Sequence, residues 1–192
     1  GVQYDLPQKQ LSLGAKYFLA GNYIYFKNIS QAEQEGTLFN VLQLSAQKKF
    51  RLSKRWNWYA EAFAQQATPN APVNLPLLFT RNRLAYEGKM FKNLNLSTGL
   101  ELRYHTPFKA DGYSPVLGQF YLQNDTTISN LPDIAAFLHF RIRSFYMFIR
   151  AENLNSMQVS PSFGFFNNNL VSPSQPMPGF FMRFGIFWGF VN

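Results

Sequence analysis

The stretch FFMRFGIFWGFVN, residues 180–192, decides the fold. From Phe180 every second residue is large and apolar: Phe180, Met182, Phe184, Ile186, Trp188 and Phe190. Between them stand Phe181, Arg183, Gly185, Phe187, Gly189 and Val191. A buried helix would not gather Arg183 and two glycines on one alternating track. A strand would, because successive side chains point to opposite faces. One track is wholly apolar, and its neighbour carries a charge. A closing strand with aromatic residues at its end, greasy on one face and polar on the other, is the pattern of an outer-membrane β-barrel.

Composition agrees. The 192 residues are 46% hydrophobic and 18% aromatic, but only 15% charged, where soluble domains carry about a quarter. A soluble β-sandwich would need more charge on its outer faces. No stretch approaches the roughly 18 unbroken apolar residues of a membrane helix. The chain has no cysteine and two histidines, so neither a disulfide, a metal site nor a cofactor is expected. It opens at Gly1 with neither methionine nor signal peptide. The expectation is a removed leader, or the later part of a longer protein. The formal charge is +8, which raises nucleic acid as a partner. The basic residues sit in short turns (Lys48, Lys49, Arg51, Lys54, Arg55, Lys89, Lys92) or alternate singly with apolar residues. Neither pattern is a recognition surface, so no nucleic acid is expected.

Other segments alternate in the same way. LNLSTGLELRYH puts Leu94, Leu96, Leu100, Leu102 and Tyr104 on one face, with Asn95, Ser97, Gly99, Glu101, Arg103 and His105 on the other. IAAFLHFRI turns His139 and Arg141 inward, and FYMFIRAE turns Tyr146, Arg150 and Glu152 inward. WNWYAEAFAQ sets Trp56, Trp58, Ala60, Ala62 and Ala64 against Asn57, Glu61 and Gln65. LSLGAKYFLAGNYIYF reads as one long strand from Leu11 whose outward track continues through Gly21, Tyr23 and Tyr25. Residues 38–50 and 77–87 alternate more weakly. The expectation is all-β: a transmembrane antiparallel β-barrel with about eight strands in this segment, each near the ~9–11 residues that a tilted strand needs. Residues 1–192 are read as the C-terminal part of a larger barrel, with no separate soluble domain.

Short links at residues 51–55, 88–93 and 143–144 alternate with long ones at 28–37, 67–76, 106–133 and 155–179. Barrels keep short turns on the periplasmic side and long loops outside, which predicts a periplasmic C-terminus in the outer membrane. The alternation requires residues 113–123 (YSPVLGQFYLQ) to lie in an external loop. Trp56, Trp58, Phe91, Phe145, Tyr146, Trp188 and Phe190 then form an aromatic girdle at the short-turn boundary, with Tyr23, Tyr25 and Phe180 at the other. Prolines Pro161, Pro173, Pro176 and Pro178 and the run Asn167–Asn169 mark the last long link as a loop.

NYIYF at residues 22–26, the segments from Leu75 to Gln123 and from Leu131 to Asn155, and the ending PMPGFFMRFGIFWGFVN together resemble the C-terminal part of the Bacteroidota family called putative porins. The resemblance covers most of the chain in the same order. It implies an outer-membrane barrel, further strands before Gly1, and no catalytic residues to transfer.

No enzyme constellation stands out. His139 has no serine at strand spacing along its own segment, and His105 opens a loop. Asp111, Asp125 and Asp133 fall in the long external region, where aspartates usually form turns. The distinctive set is on the inward tracks: Arg81, Arg83, Arg103, Arg141, Arg150 and Arg183, with Glu61, Glu87, Glu101 and Glu152. These charges either form interior ion-pair ladders or leave a positive lumen that favours anions. About eight strands closed on themselves would leave room only for side chains, and Phe18, Phe63, Phe137, Phe148, Phe181 and Phe187 also point inward. The expected function is passive diffusion of small polar solutes, anions among them. The alternative is a non-conducting barrel that anchors a larger envelope complex. Outer-membrane lipid is the expected partner, with other outer-membrane or envelope proteins in the alternative.

Overall fold

The computed structural model describes residues 1–90, 92–160, 163–164 and 169–190. Expectations that fell on Phe91, Pro161, Asn167, Asn168 and Val191 lie outside the described residues. Nine strands form one antiparallel sheet in strict sequence order. They are β1 (Val2–Leu6), β2 (Leu11–Ala20), β3 (Phe39–Arg51), β4 (Trp56–Ala67), β5 (Leu78–Met90), β6 (Leu94–His105), β7 (Asp133–Ile142), β8 (Phe145–Glu152) and β9 (Phe181–Trp188). No described helix is long and apolar enough to cross a membrane.

The eight alternating segments read from sequence are β2 to β9. The ninth strand, β1, was missed because VQYDL is too short for its alternation to stand out. Each strand pairs with its sequence neighbours, so the order is a meander with short turns at one end and long links at the other. Among the described residues β1 pairs only with β2, and β9 only with β8. The sheet is therefore open, and a closed barrel is not seen in this segment.

Two differences have local causes. The strand read from Leu11 to Phe26 is two elements. Asn22 has φ 52°, in the left-handed region, and this breaks the alternation just after Ala20. Tyr23–Lys27 then leaves the sheet to form its own hairpin with Gln31–Glu35. Tyr23 and Tyr25 therefore do not continue the outward track and form no girdle. Tyr25 instead donates to a Glu33 carboxylate at 2.8 Å, and Tyr23 packs edge-on against Phe39. Residues 113–123 add no strand to the main sheet. Gly118, at φ 65°, lies between Gly112–Ser114 and Gln119–Tyr121, which pair with each other outside the main sheet.

The long links form a connected layer. The first hairpin joins the third long link through Leu122 N–H to Phe26 O (2.7 Å) and Asn28 N–H to Leu122 O (3.3 Å). Asn74 donates to the Asp111 carboxylate (3.0 Å) and to Gln123 O (2.8 Å). Two asparagines then clasp opposite backbones. Asn130 accepts from Leu170 N–H and donates to Leu170 O. Asn169 does the same to Leu131. Each amide satisfies both backbone groups of a residue, as a ladder partner would.

At the short-turn end the apolar face gathers rings. Phe50 stacks on Trp58 (4.7 Å), Trp56 meets Tyr86 edge-on (5.6 Å), and Phe145 meets Trp188 (6.2 Å). Trp188 stacks in turn on Phe190 (4.9 Å). All three tryptophans of the chain lie here. Tyr146 does not belong to this girdle: it pairs in register with Arg141 and Phe187 on the opposite face.

Candidate functional site

Residues directly opposed on neighbouring strands share a face, so the register traces each face in rows. Seventeen Asp, Glu, Lys and Arg residues lie in the nine strands. The register puts all but Lys48 on the face that carries Arg103. That face includes Arg81, Arg83, Glu101, Arg103, His139, Arg141, Arg150, Glu152 and Arg183. Met182, Phe184, Ile186 and Trp188 are on the other face, with Met147 and Ile149 beside them. Phe180 precedes β9 at a bend, and Phe190 follows it.

Burial runs against the rule for a water-soluble sheet. The middle of the charged face is covered: Glu152 is 2% exposed, Glu101 4% and Phe137 3%. The apolar face is open, with Leu100 at 52% and Phe184 at 75%.

The register sets like charges side by side. Arg81 opposes Arg103, and Arg150 opposes Arg183. Directly opposed like charges repel, so acids must straddle them diagonally. They do. Glu101 accepts a hydrogen bond from Arg150 at 2.5 Å and forms ion pairs with Arg81 at 3.3 Å and Arg103 at 3.9 Å. Glu152 holds Arg103 at 3.0 Å and Arg150 at 2.7 Å, and it also pairs with Arg183. Asp133 forms an ion pair with Arg103 at 2.6 Å, and Glu61 lies 3.8 Å from Arg81. Arg103 and Arg150 reach across β7 to do this. They can because Ala135, fully buried, stands in the row of Glu101. A larger residue would occupy the space over which the guanidiniums lie.

Four arginines and four acids make this ladder electrically neutral. Arg83 stands outside it. Its guanidinium lies over the Phe137 ring at 4.1 Å and donates to Ser97 Oγ at 3.3 Å. Arg141 is exposed and donates to Arg143 O (3.1 Å) in the turn. Over the whole charged face, ten basic residues meet six acids. The surplus concentrates at the short-turn end. There Lys49, Arg51, Lys89 and Arg141 are accompanied by Glu87 alone, which pairs with Lys49 at 3.7 Å. Lys49, Arg51, Lys54, Asn57 and Glu87 line an open cleft of about 480 Å³.

Two site features escaped the sequence. Asp133 was read as a loop residue, but it opens β7 and joins the ladder. Only the register, which places it opposite Arg103, reveals this. Ser97 lies directly opposite His139, with Glu87 on its far side, although no serine neighbours His139 along the chain. The Ser97 hydroxyl, however, takes its hydrogen bond from Arg83, and the His139 ring is flanked by Phe137, Tyr146 and Phe148. No group of three or more His, Asp or Glu able to hold a metal occurs among the described residues.

No curated protein and no solved structure matches this chain. A family model described as Putative porin matches it over residues 1–192. An all-β antiparallel meander that segregates its charge to one face is consistent with that match, and the chain belongs to the Putative porin family.

Proposed function

We propose that this sheet is part of the wall of an outer-membrane β-barrel pore that passes small polar solutes down their gradients, with anions favoured. The observation that carries the reading is the inverted sheet: a charged face whose central acids are covered, and exposed hydrocarbon on the other face. Acyl chains suit the apolar face, and a water-filled passage suits the charged one. A membrane-spanning sheet must be closed so that its edges keep no unpaired backbone groups. The reading therefore takes these strands as part of a complete ring, with the short turns and the end of β9 on the periplasmic side. The reading assigns no catalytic step and no cofactor.

The neutral ladder keeps the middle of the wall ordered, because arginines whose acids were missing would be costly there. Selectivity then comes from the basic surplus at the short-turn mouth, where focused positive potential raises the local anion concentration. Planar-bilayer recordings across a KCl gradient test this. The expected reversal potential has the sign of anion preference, and Arg51→Gln, Lys89→Gln and Arg141→Gln together should move it toward zero. Cation preference in the unaltered protein would overturn the anion assignment. Absence of conductance from protein purified with stoichiometric partners would replace the pore with the anchoring role.

A further inference from the structure

His105 closes β6 at the long-link end, and both nitrogens of its ring are engaged. Nδ1 lies 3.1 Å from Thr106 O, an atom that can only accept, so Nδ1 carries the proton. Thr106 is itself fixed to β5: its N–H donates to Leu78 O at 2.9 Å, and its hydroxyl accepts from Leu78 N–H at 3.1 Å. Nε2 lies 3.3 Å from Asn130 Nδ2. The clasp sets the orientation of that amide, because Asn130 Oδ1 accepts from Leu170 N–H at 2.9 Å and Nδ2 donates to Leu170 O at 2.7 Å. Asn130 therefore turns a donor toward the ring, and Nε2 can accept only while it carries no proton.

Protonation sets two donors against each other. Turning the Asn130 amide over would offer its oxygen to the ring, but it would also set the NH2 against Leu170 N–H and the oxygen against Leu170 O. The charged ring and the Asn130 half of the clasp exclude one another. His105 lines a cavity of about 260 Å³ between the clasp and the ladder. The charged groups around it are Arg103 of β6 and Asp133 of β7, which already pair at 2.6 Å. Tyr104 is the other titratable neighbour; β5 presents Phe79, and the fourth long link presents Asn169 and Met177.

We infer that His105 is a pH-sensitive latch of the loop layer. Neutral, it supports the clasp between Asn130 and Leu170. Protonated, as histidine becomes on mild acidification, it releases that clasp and loosens the fourth long link from the third over the end of the charged face. The bonds of Asn169 to Leu131, both 2.8 Å, remain, so the loosening is partial. The latch depends on the loop geometry alone. Its consequence, easier passage of solute at low pH, rests on the pore reading above.

Amide exchange in lipid nanodiscs, corrected for intrinsic rates, tests the latch at about pH 7.5 and about pH 5, which bracket the ordinary charge change of histidine. Protection of the Leu170 amide should fall about tenfold at the lower pH, the scale of losing one or two hydrogen bonds. His105→Gln should make that protection independent of pH. Asn130→Asp should invert the response, because its carboxylate accepts from both the protonated ring and Leu170 N–H. Protected amides across β6 and β7 show that each variant is folded. Equal Leu170 protection at both pH values in the unaltered protein, or a response that His105→Gln retains, would overturn the latch. Planar-bilayer current reads the consequence: it should rise at the lower pH, and Asn130→Ala should carry the raised current at both. A working latch with a current indifferent to pH would overturn the regulatory role. A working latch with no current at all would overturn the pore reading and leave the latch standing.

Discussion

Glu152 is the residue on which the charged face converges. Its carboxylate meets Arg103, Arg150 and Arg183 while remaining 2% exposed. Glu152→Ala would leave those arginines without this acid, although Arg103 and Arg150 would keep Glu101. Arg183, being largely open to water, loses least. The expected cost is therefore about 3 kcal/mol, the lower end for breaking a buried pair, read as an earlier urea-unfolding midpoint in lipid. A cost below about 1 kcal/mol would show the ladder to be electrostatically slack. In the loop layer, burial pushes the Asp111 carboxyl above the ordinary carboxylate range, and the hydrogen bond from Asn74 offsets this only in part. A folded-state pKa above the unfolded one means that folding takes up the proton. That contribution is full below the unfolded pKa and is lost as pH rises through the folded one. Amide exchange around residues 110–126, corrected for intrinsic rates, should therefore quicken as pH rises through the acid range. Asp111→Asn should remove the dependence and slow exchange at neutral pH. Unchanged pH dependence in that variant would assign the effect elsewhere.

At the scale of elements, β5 and β6 meet so closely that Gly99 has no room for a side chain. A Cβ there would collide with the Leu84 carbonyl and come within 3.1 Å of Ala85 Cα. Backbone cannot swing aside as a side chain can, so Gly99→Val should disrupt the β5–β6 ladder and reduce folded yield sharply. Recovery of normal yield would mean that the strands tolerate separation. On β9, the two tracks make a paired test. Phe184→Lys puts a charge on the open apolar face and should destabilise by about 2–4 kcal/mol if that position sits near the bilayer midplane. Phe187→Lys adds the same charge to the other face and should cost much less. Heat-modifiable gel mobility after reconstitution reports both variants, and equal losses would contradict the assignment of faces. The alternation that defines β9 was legible in FFMRFGIFWGFVN because hydrophobicity with period two is a local property. The break at Asn22 was not legible. NYIYF has strong strand composition, and only the left-handed backbone at Asn22 and the pairing of Tyr23–Lys27 with Gln31–Glu35 divert it.

For the whole molecule, the exposed band of Leu42, Leu44, Leu100, Phe184 and Ile186 is incompatible with life as a monomer in water. Transfer from detergent to plain buffer should give aggregates by light scattering. A monodisperse soluble monomer with Phe184, Ile186 and Trp188 shielded from an aqueous quencher would reverse the assignment of the two faces. The amino-acid sequence by itself determined the strand class, the eight long strands, their antiparallel order and the division of each into an apolar and a charged track, because these follow from near-neighbour alternation and link length. Tertiary structure alone decided which charges meet. Asp133 against Arg103, Ser97 opposite His139 and Glu152 among three arginines all depend on register, and a shift of one residue would send each to the other face. It alone also decided that the arginines of the charged face are largely neutralised by acids on neighbouring strands and that the basic surplus gathers at the short-turn end, since the spacing of charges along a chain carries no record of the strand that will lie beside it.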